Sequence, residues 1–326
     1  MKTKMRAVEL WVMVISMILL LTPGAGLCKW PTNQLSIVVP FSPGGTTDRI
    51  PRALTPFLEK ELGVPVVVVN RKGGGGIVGT KAHLKTDPSD GSFIVYTIQP
   101  YLSGAVIKKA FAIDDFDYLG LNYWSPQGLW VNSKSKYASA PELLKAIRAN
   151  PNKITVSVIP NSWSMVGPEL LAERLGAATK DIPYQGGGKQ RMAVVQNDVV
   201  CTITEVYGTL AAAAEDMKCL AVFANARLPE LRDVPTINEV MKDMGYKPMP
   251  PMSNFRFFMV KKDFKGKYPD RFEMLVKALE KANKNPEYLD VMGKQKLKIT
   301  WEGPAATKKQ IVESDEVLQK FEKFWK

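Results

Sequence analysis

The sequence has few of the side chains on which hydrolytic and metal chemistry depend. It contains one histidine, His83, and three cysteines, Cys28, Cys201 and Cys219, none of them in a Cys-x-x-Cys pair. A zinc site needs several thiolate or imidazole ligands, and a catalytic triad needs a histidine base. We therefore predict no metal, no cofactor and no catalytic residue. Whether Cys201 and Cys219 form a disulfide stays open at this point.

Long apolar runs are also scarce. The main one, residues 10–21, follows a basic start and precedes a small, turn-forming stretch that ends at Cys28. This is the pattern of a secretory signal peptide, and about twelve residues is short for a membrane-spanning helix. We expect residues 1–28 to be a cleaved signal that exports the protein to the periplasm. A lipid anchor on Cys28 is the alternative, although Leu27 is bulky where a lipoprotein signal has a small residue.

The charge is positive but dispersed. Lysine and arginine number 44 against 32 acidic residues, a net charge of +12. The basic residues form neither an arginine-rich block nor an alternation with aromatic residues, which argues against a nucleic-acid partner. A broad positive field favours small anions as ligands, and the alternative is a charge that serves only solubility. We expect a monomer.

Apolar runs of strand length alternate with helical patterns, which is typical of an α/β fold. Residues 35–97 are predicted to form β-α-β-α-β, and residues 154–224 repeat that order. Two apolar, aromatic stretches at residues 119–131 and 252–260 are predicted to cross between the two units. The result is two lobes, each a mostly parallel sheet flanked by helices, joined by two strands.

The predicted lobe boundaries follow from the two crossings. Lobe 1 comprises residues 30–126 and 252–326, and lobe 2 comprises residues 127–251. Three helices, at residues 271–283, 286–294 and 308–325, are expected to return the chain to lobe 1. Because two strands between two lobes make a hinge, we expect closure around a small molecule.

A loop of sequence Pro-Phe-Ser-Pro-Gly-Gly-Thr-Thr-Asp, residues 40–48, lies between the first predicted strand and helix. Glycine lets backbone N–H groups approach a ligand, and a helix start adds partial positive charge, so the loop predicts an anion site. Ligands bind at the carboxyl ends of strands in open α/β sheets, where this loop lies. The alternative is a plain turn with Thr46 or Thr47 as N-cap and Asp48 complementing the helix dipole.

Two loops of the second unit complete the predicted cleft. Tyr-Gln-Gly-Gly-Gly, residues 184–188, occupies the position of the first loop, so the two loops are expected to hold one carboxylate between them. We expect positive φ at Gly45 and Gly187, so that valine at either position abolishes binding. Asn-Ser-Trp-Ser, residues 161–164, offers hydroxyls beside an indole, or alternatively a helix cap at Ser164.

These motifs resemble those of the periplasmic receptors of tripartite tricarboxylate transporters, the Bug or TctC-type family. The resemblance runs from about residue 30 to the C-terminus. It is carried by residues 37–48, 66–76, 115–119, 141–144, 149–153 and 231–236. It implies a type II-like Venus-flytrap fold of the periplasmic binding proteins, no catalysis, and a ligand carboxylate held by residues 42–46 and 184–188. Asn161 to Met165 and Glu205 depart from the family pattern.

We therefore predict an extracytoplasmic receptor that binds a small carboxylate and delivers it to membrane permease subunits. A ligand sensor for a signalling system is one alternative, and a secreted enzyme using Asp48 and Glu205 as an acid–base pair is another. The predicted ligand-binding residues are Phe41, Ser42, Gly44, Gly45, Thr46, Asp48, Gln99, Ser162, Trp163, Tyr184, Gly186, Gly187 and Glu205.

The two acidic residues of this set bear on the charge of the ligand. Asp48 and Glu205 would repel a second ligand carboxylate, and the loop motifs contain no compensating cation except Arg49 and Lys189, which are expected to point outward. We expect a ligand with one carboxylate and an uncharged, aromatic or cationic far end. The alternative is an exposed Glu205 and an Asp48 that only complements its helix.

Overall fold

Strands and helices alternate along the chain in the predicted order. The computed structural model describes residues 30–31 and 33–325, so the predicted signal segment and Cys28 lie outside the described residues. Residues from 34 onward form one compact unit. Its strands are β1 (Leu35–Val39), β2 (Val66–Asn70), β3 (Phe93–Gln99), β4 (Phe116–Asn132), β5 (Thr155–Val158), β6 (Lys180–Pro183), β7 (Cys201–Glu205), β8 (Met217–Val222), β9 (Ser253–Lys261) and β10 (Ile299–Glu302).

The helices fill most of the connections between these strands. They are α1 (Thr46–Leu62), α2 (Ile77–Thr86), α3 (Tyr101–Ile107), α4 (Ala140–Ala149), α5 (Trp163–Leu175), α6 (Gly187–Val195), α7 (Val206–Ala213), α8 (Ile237–Asp243), α9 (Phe264–Lys267), α10 (Pro269–Lys284), α11 (Pro286–Lys294) and α12 (Pro304–Gln319). The longest, α1, is amphipathic and ends at Gly63, whose left-handed conformation (φ 71°) closes the helix.

Two sheets share the long strand β4. The first sheet has the order β2-β1-β3-β9-β4, with β10 also paired to β4; the second has the order β4-β7-β5-β6, with β8 also paired to β4. β1, β2 and β3 are mutually parallel, as are β5, β6 and β7. β4 and β9 run antiparallel to their neighbours, so each sheet is mixed. The predicted fold class is confirmed, with the crossing strands as its antiparallel component.

The switch between the sheets occurs within β4. Residues 116–126 pair with β9, and residues 127–131 pair with β7. The second crossing lies alongside, since Gln127 N donates to Met252 O (2.8 Å) and Met252 N donates to Phe223 O (3.0 Å). The two segments that cross between the sheets are therefore adjacent, as a hinge requires. The lobe boundaries themselves stay a prediction.

The end of the chain packs against elements of both sheets. Helix α12 ends at Gln319, and Leu318 and Trp325 are fully buried in the core cluster of the second sheet. The Trp325 ring also lies against α3, where a Cβ on Gly104 would be 2.8 Å from it. The assignment of residues 252–326 to the first lobe stays a prediction.

The two described cysteines are buried and free. Cys201 on β7 pairs with Val131, and Cys219 on β8 pairs with Trp130. Burial raises the pKa of both thiols, that of Cys201 to about 12. The question of pairing is thus answered in favour of two buried thiols. Within residues 30–31 and 33–325, no helix combines the length and apolar character needed to cross a membrane.

His83 is a buried residue of α2 and belongs to a cluster of charged side chains. Its Nδ1 is 2.9 Å from Asp87 Oδ2, and Arg71 binds both oxygens of that carboxylate at 2.7 and 2.9 Å. Lys261 donates to the Asp87 carbonyl oxygen. Burial lowers the pKa of His83 to about 4, which outweighs the opposite effect of Asp87. The ring is therefore neutral in the folded protein near pH 7.

We expect acid to destabilise the protein partly through this ring. The unfolded chain takes up the imidazole proton near pH 6.5, well above the folded pKa. The stability that a neutral ring provides is therefore present above about pH 6.5 and is lost as the pH falls towards 4. His83→Asn keeps a donor to Asp87 and should make the loss between pH 6.5 and 4.5 smaller by about 2 kcal/mol, measured by urea unfolding. Equal losses in both proteins would contradict this assignment.

Candidate functional site

A cavity of about 620 Å³ lies where the carboxyl ends of the parallel strands of both sheets meet. Its lining comes mainly from loops after β1, β2, β5 and β6 and from the end of β7, and β9 contributes Asn254 and Arg256. The loops and the strand end are residues 40–48, 72–77, 159–164, 184–191 and 203–205. Both predicted glycine loops therefore face one cavity, as their place after a strand predicts.

Two helices begin at this cavity without a capping side chain. α1 starts after Gly45 and α6 starts after Gly186, and no side chain of the described chain caps either helix. Neither Thr46 nor Thr47 is the N-cap. First-turn N–H groups have no partner within a helix, and the dipole adds partial positive charge there. The two helix starts therefore offer backbone donors to an anion.

The positive φ angles fall one residue earlier in each loop than we predicted. They occur at Gly44 (φ 85°) and Gly186 (φ 103°), whereas Gly45 has φ −77°. A Cβ on Gly187 would lie 3.2 Å from Arg191 Nη1, a close contact that a small shift of the guanidinium would relieve. The predicted effect of valine at Gly45 therefore loses its conformational basis.

Asp48 is bound within its own loop. It accepts hydrogen bonds from Gly44 N (2.9 Å), Arg52 Nε (3.0 Å) and Asn70 Nδ2 (2.8 Å). Burial alone would raise the pKa of Asp48, but these donors hold it below its ordinary value. The carboxylate is ionised, neutralised by Arg52, and used to shape the loop.

Glu205 forms a buried ion pair that the sequence analysis missed. Arg256 Nη2 donates to Glu205 Oε1 (2.9 Å) and lies 2.8 Å from Oε2. Arg256 Nε donates to Thr47 Oγ1 (3.0 Å), and the guanidinium carbon is 4.6 Å from the centre of the Tyr123 ring. Burial would raise the pKa of Glu205, but Arg256 and Arg191 hold it below its ordinary value.

Arg191 is a second buried arginine at the cavity, on the first turns of α6. Only 5% of the residue is exposed. It has no hydrogen bond and no ion pair with any residue that the structure describes, although Glu205 attracts it electrostatically. Burial lowers the pKa of Arg191. An arginine nevertheless stays charged in proteins, so the cavity contains a cation without a direct partner.

Our expectation about ligand charge assumed that no cation compensates Asp48 and Glu205, and this assumption is wrong. Asp48 and Glu205 do adjoin the cavity, but each faces an arginine that cancels its charge. Arg49 and Lys189 do not supply this compensation, since Arg49 Nη2 donates to Gln295 and Lys189 is exposed at the rim. Repulsion between these carboxylates and a second ligand carboxylate is therefore removed.

Three other predicted residues form hydrogen bonds to groups of the protein itself. Ser162 caps α5 by accepting from Ser164 N (3.1 Å) and donates to Ile159 O (2.8 Å). The Trp163 indole donates to Ser253 O (2.9 Å). Gln99 lies outside the cavity, because its fully buried amide binds Ser103 Oγ (2.6 Å) and Ser103 N (3.0 Å) at the start of α3. Its prediction as a ligand residue is corrected.

An apolar patch forms one side of the cavity. Phe41 and Tyr101 meet edge to face with ring centres 5.1 Å apart, and Ile98 and Ile159 pack against them. The cavity thus combines donors and positive charge with an apolar surface, an arrangement suited to the carbon skeleton of an organic anion.

Comparisons with known proteins agree with this arrangement. The sequence model of the tripartite tricarboxylate transporter family receptor matches residues 50–321. Protein BugT of Bordetella pertussis is 29% identical over 67% of this chain and 67% of its own length.

Two solved structures from Rhodopseudomonas palustris share the fold. MatC with bound malate has a TM-score of 0.77 at 20% identity, covering 91% of this chain and 100% of that one. Rpa4515 with adipate has a TM-score of 0.75 at 21% identity, covering 91% of this chain and 98% of that one. With the family match over most of its length, the chain belongs to the tripartite tricarboxylate transporter receptor family.

Proposed function

We propose that the protein is a periplasmic receptor that binds a small organic carboxylate in this cavity and delivers it to a membrane transporter of the tripartite tricarboxylate type. The observation that carries the proposal is the pair of uncapped helix starts at one cavity. Backbone N–H groups at a helix N-terminus are a general anion site. Family membership supports the role in uptake, with permease subunits as partners. We propose that the receptor is a monomer.

The cavity also fits a small acid in size and character. Its volume of about 620 Å³ lies in the usual range of small-molecule pockets. Proteins of the same fold hold malate and adipate, both short aliphatic dicarboxylates. The apolar patch around Phe41 and Tyr101 would contact the methylene groups of such a ligand.

The state of the two carboxylates supports binding without catalysis. A general acid near neutral pH needs a raised pKa, as a carboxyl in an apolar pocket has. Asp48 and Glu205 have lowered pKa values, each because of an arginine beside it. This gives the acid–base alternative no support.

The direct test is a thermal-shift screen of the exported protein against short mono-, di- and tricarboxylates, followed by calorimetry on every acid that raises the melting temperature. Ligand that binds only the folded state at 100 times its Kd stabilises by about 2.7 kcal/mol, which is readily measured. If no carboxylate raises the melting temperature at millimolar concentration, the proposal fails.

A hinge between the sheets predicts closure on binding. The chain crosses twice at adjoining positions, in β4 and before β9, so rotation there would change the width of the cleft. We expect X-ray scattering to give a smaller radius of gyration with a saturating acid than without it. Identical scattering profiles would contradict hinge closure.

A further inference from the structure

We propose that Arg191 selects ligands that carry a second negative charge, so that the site binds a dicarboxylate much more tightly than the matching monocarboxylate. The proposal rests on the proposed function and names the residue that sets the ligand's charge. Arg191 belongs to α6, the helix whose start faces the cavity. It stands one turn after Gly187, and the missing side chain of that glycine leaves room for the guanidinium.

The first argument is burial without a partner. A guanidinium removed from water costs several kcal/mol unless a carboxylate or carbonyl group compensates it. Only 5% of Arg191 is exposed, yet it forms no hydrogen bond or ion pair within the described part of the chain. Because it lines the cavity, its donors are available to a molecule bound there.

The second argument is the charge around the cavity. Arg52 cancels Asp48, and Arg256 cancels Glu205. Arg191 remains with a full positive charge, and the two helix starts each contribute about half a charge. The cavity therefore presents about two positive charges, which a dianion would neutralise and a monoanion would not.

Solvent reduces the effect of the other cations nearby. Lys72, Lys108 and Lys189 line the rim but are exposed, so water and salt screen them. Lys180 on β6 is an exposed cation outside the cavity lining, which makes it a suitable control. Arg256 is engaged by Thr47 and Glu205 through Nε and Nη2, and Glu205 cancels its charge, so only its Nη1 remains without a hydrogen-bond partner.

The test is calorimetry on wild type, Arg191→Met and Lys180→Met with matched acids: adipate with hexanoate, succinate with butyrate, and malate with 2-hydroxybutyrate. In the pair that contains the preferred ligand, wild type should bind the dicarboxylate about 100-fold more tightly than the monocarboxylate. Arg191→Met should weaken the dicarboxylate by about 100-fold and the monocarboxylate by less than about 3-fold. Lys180→Met should change neither by more than about 3-fold.

A second measurement shows that the variant is folded. Methionine fills similar space without a charge, so Arg191→Met should melt at the same or a higher temperature than wild type when no ligand is present. Arg191→Lys should retain part of the dicarboxylate preference, because it keeps the charge but not the planar fork of donors.

Three outcomes would overturn the proposal. Wild type that binds monocarboxylates as tightly as dicarboxylates, or Arg191→Met that keeps the wild-type preference, would overturn this inference and leave the proposed function intact. Wild type that binds none of the six acids would overturn this inference, and a carboxylate screen without any hit would overturn the proposed function as well.

Discussion

Replacing Glu205 by glutamine should lower the free energy of unfolding by about 3–5 kcal/mol. Glu205 is 5% exposed and is the only carboxylate among the described residues within ion-pairing distance of Arg256. It also attracts Arg191. Glutamine keeps the shape and one acceptor, but it leaves two buried guanidinium groups near each other with no negative charge between them.

Urea unfolding of wild type and Glu205→Gln at pH 7 measures this effect, and Glu273→Gln provides the control. Glu273 also forms an ion pair, with Lys277 at 3.9 Å, but both side chains are more than 70% exposed. Exposed pairs of this kind contribute about 0–1 kcal/mol, so the control should unfold almost as wild type does. If Glu205→Gln lost less than about 1 kcal/mol, the ion pair would not have the role we assign to it.

The double variant Arg256→Met with Glu205→Gln separates charge from packing. Removing both partners of a buried pair is often much less costly than removing one. We expect recovery of part of the loss, because one guanidinium disappears. Recovery should stay incomplete, because Arg191 still lacks the carboxylate that attracts it.

Much of the fold and the position of the cavity follow from the alternation of strands and helices. β1, β2, β3 and the helices between them follow the order predicted for residues 35–97, because each strand is a short apolar run set off by loop or turn residues. Parallel strands place the loops at their carboxyl ends on one edge of a sheet. The first and second glycine loops could therefore be assigned to one cleft without knowledge of the tertiary structure.

The charges of the cavity could not be assigned in the same way. Arg191 follows a glycine loop on a short helix, where periodicity does not distinguish a buried arginine from an exposed one. Glu205 and Arg256 are 51 residues apart in the sequence, and only the pairing of the crossing strands brings their side chains together. One signal was present in the sequence: Arg256 interrupts an apolar, aromatic strand, and a charge inside such a strand indicates a buried pair.

The sequence predicted a glycine with positive φ in each loop, but it did not identify which glycine this is. A run of glycines shows that the backbone needs freedom, but it does not show which residue takes the positive φ. In this chain, Gly44 takes it in the first loop and Gly186 in the second. The N–H of Gly44 donates to the Asp48 carboxylate, so the turn at Gly44 also forms a hydrogen bond within the loop.

The corrected positions give a sharper prediction: Gly186→Ala should weaken binding of the preferred acid by about 10- to 100-fold. Gly186 has φ 103° and ψ 152°, a region that only glycine populates freely. Since no atom lies within 4 Å of an added Cβ, the methyl group itself fits and the backbone alone is strained. The loop should relieve that strain by moving, which displaces the N–H groups at the start of α6 from the ligand.

Gly176→Ala is the matched control for this prediction. Gly176 also has a positive φ (67°) and open space around an added Cβ, but it ends α5 and lies outside the cavity lining. Alanine at this position should cost about 1–2 kcal/mol of stability and leave the affinity unchanged. Calorimetry and urea unfolding on both variants separate the two effects. Equal affinity in Gly186→Ala and wild type would remove the second glycine loop from the binding site, because the strain would then have been absorbed without moving any group that contacts the ligand.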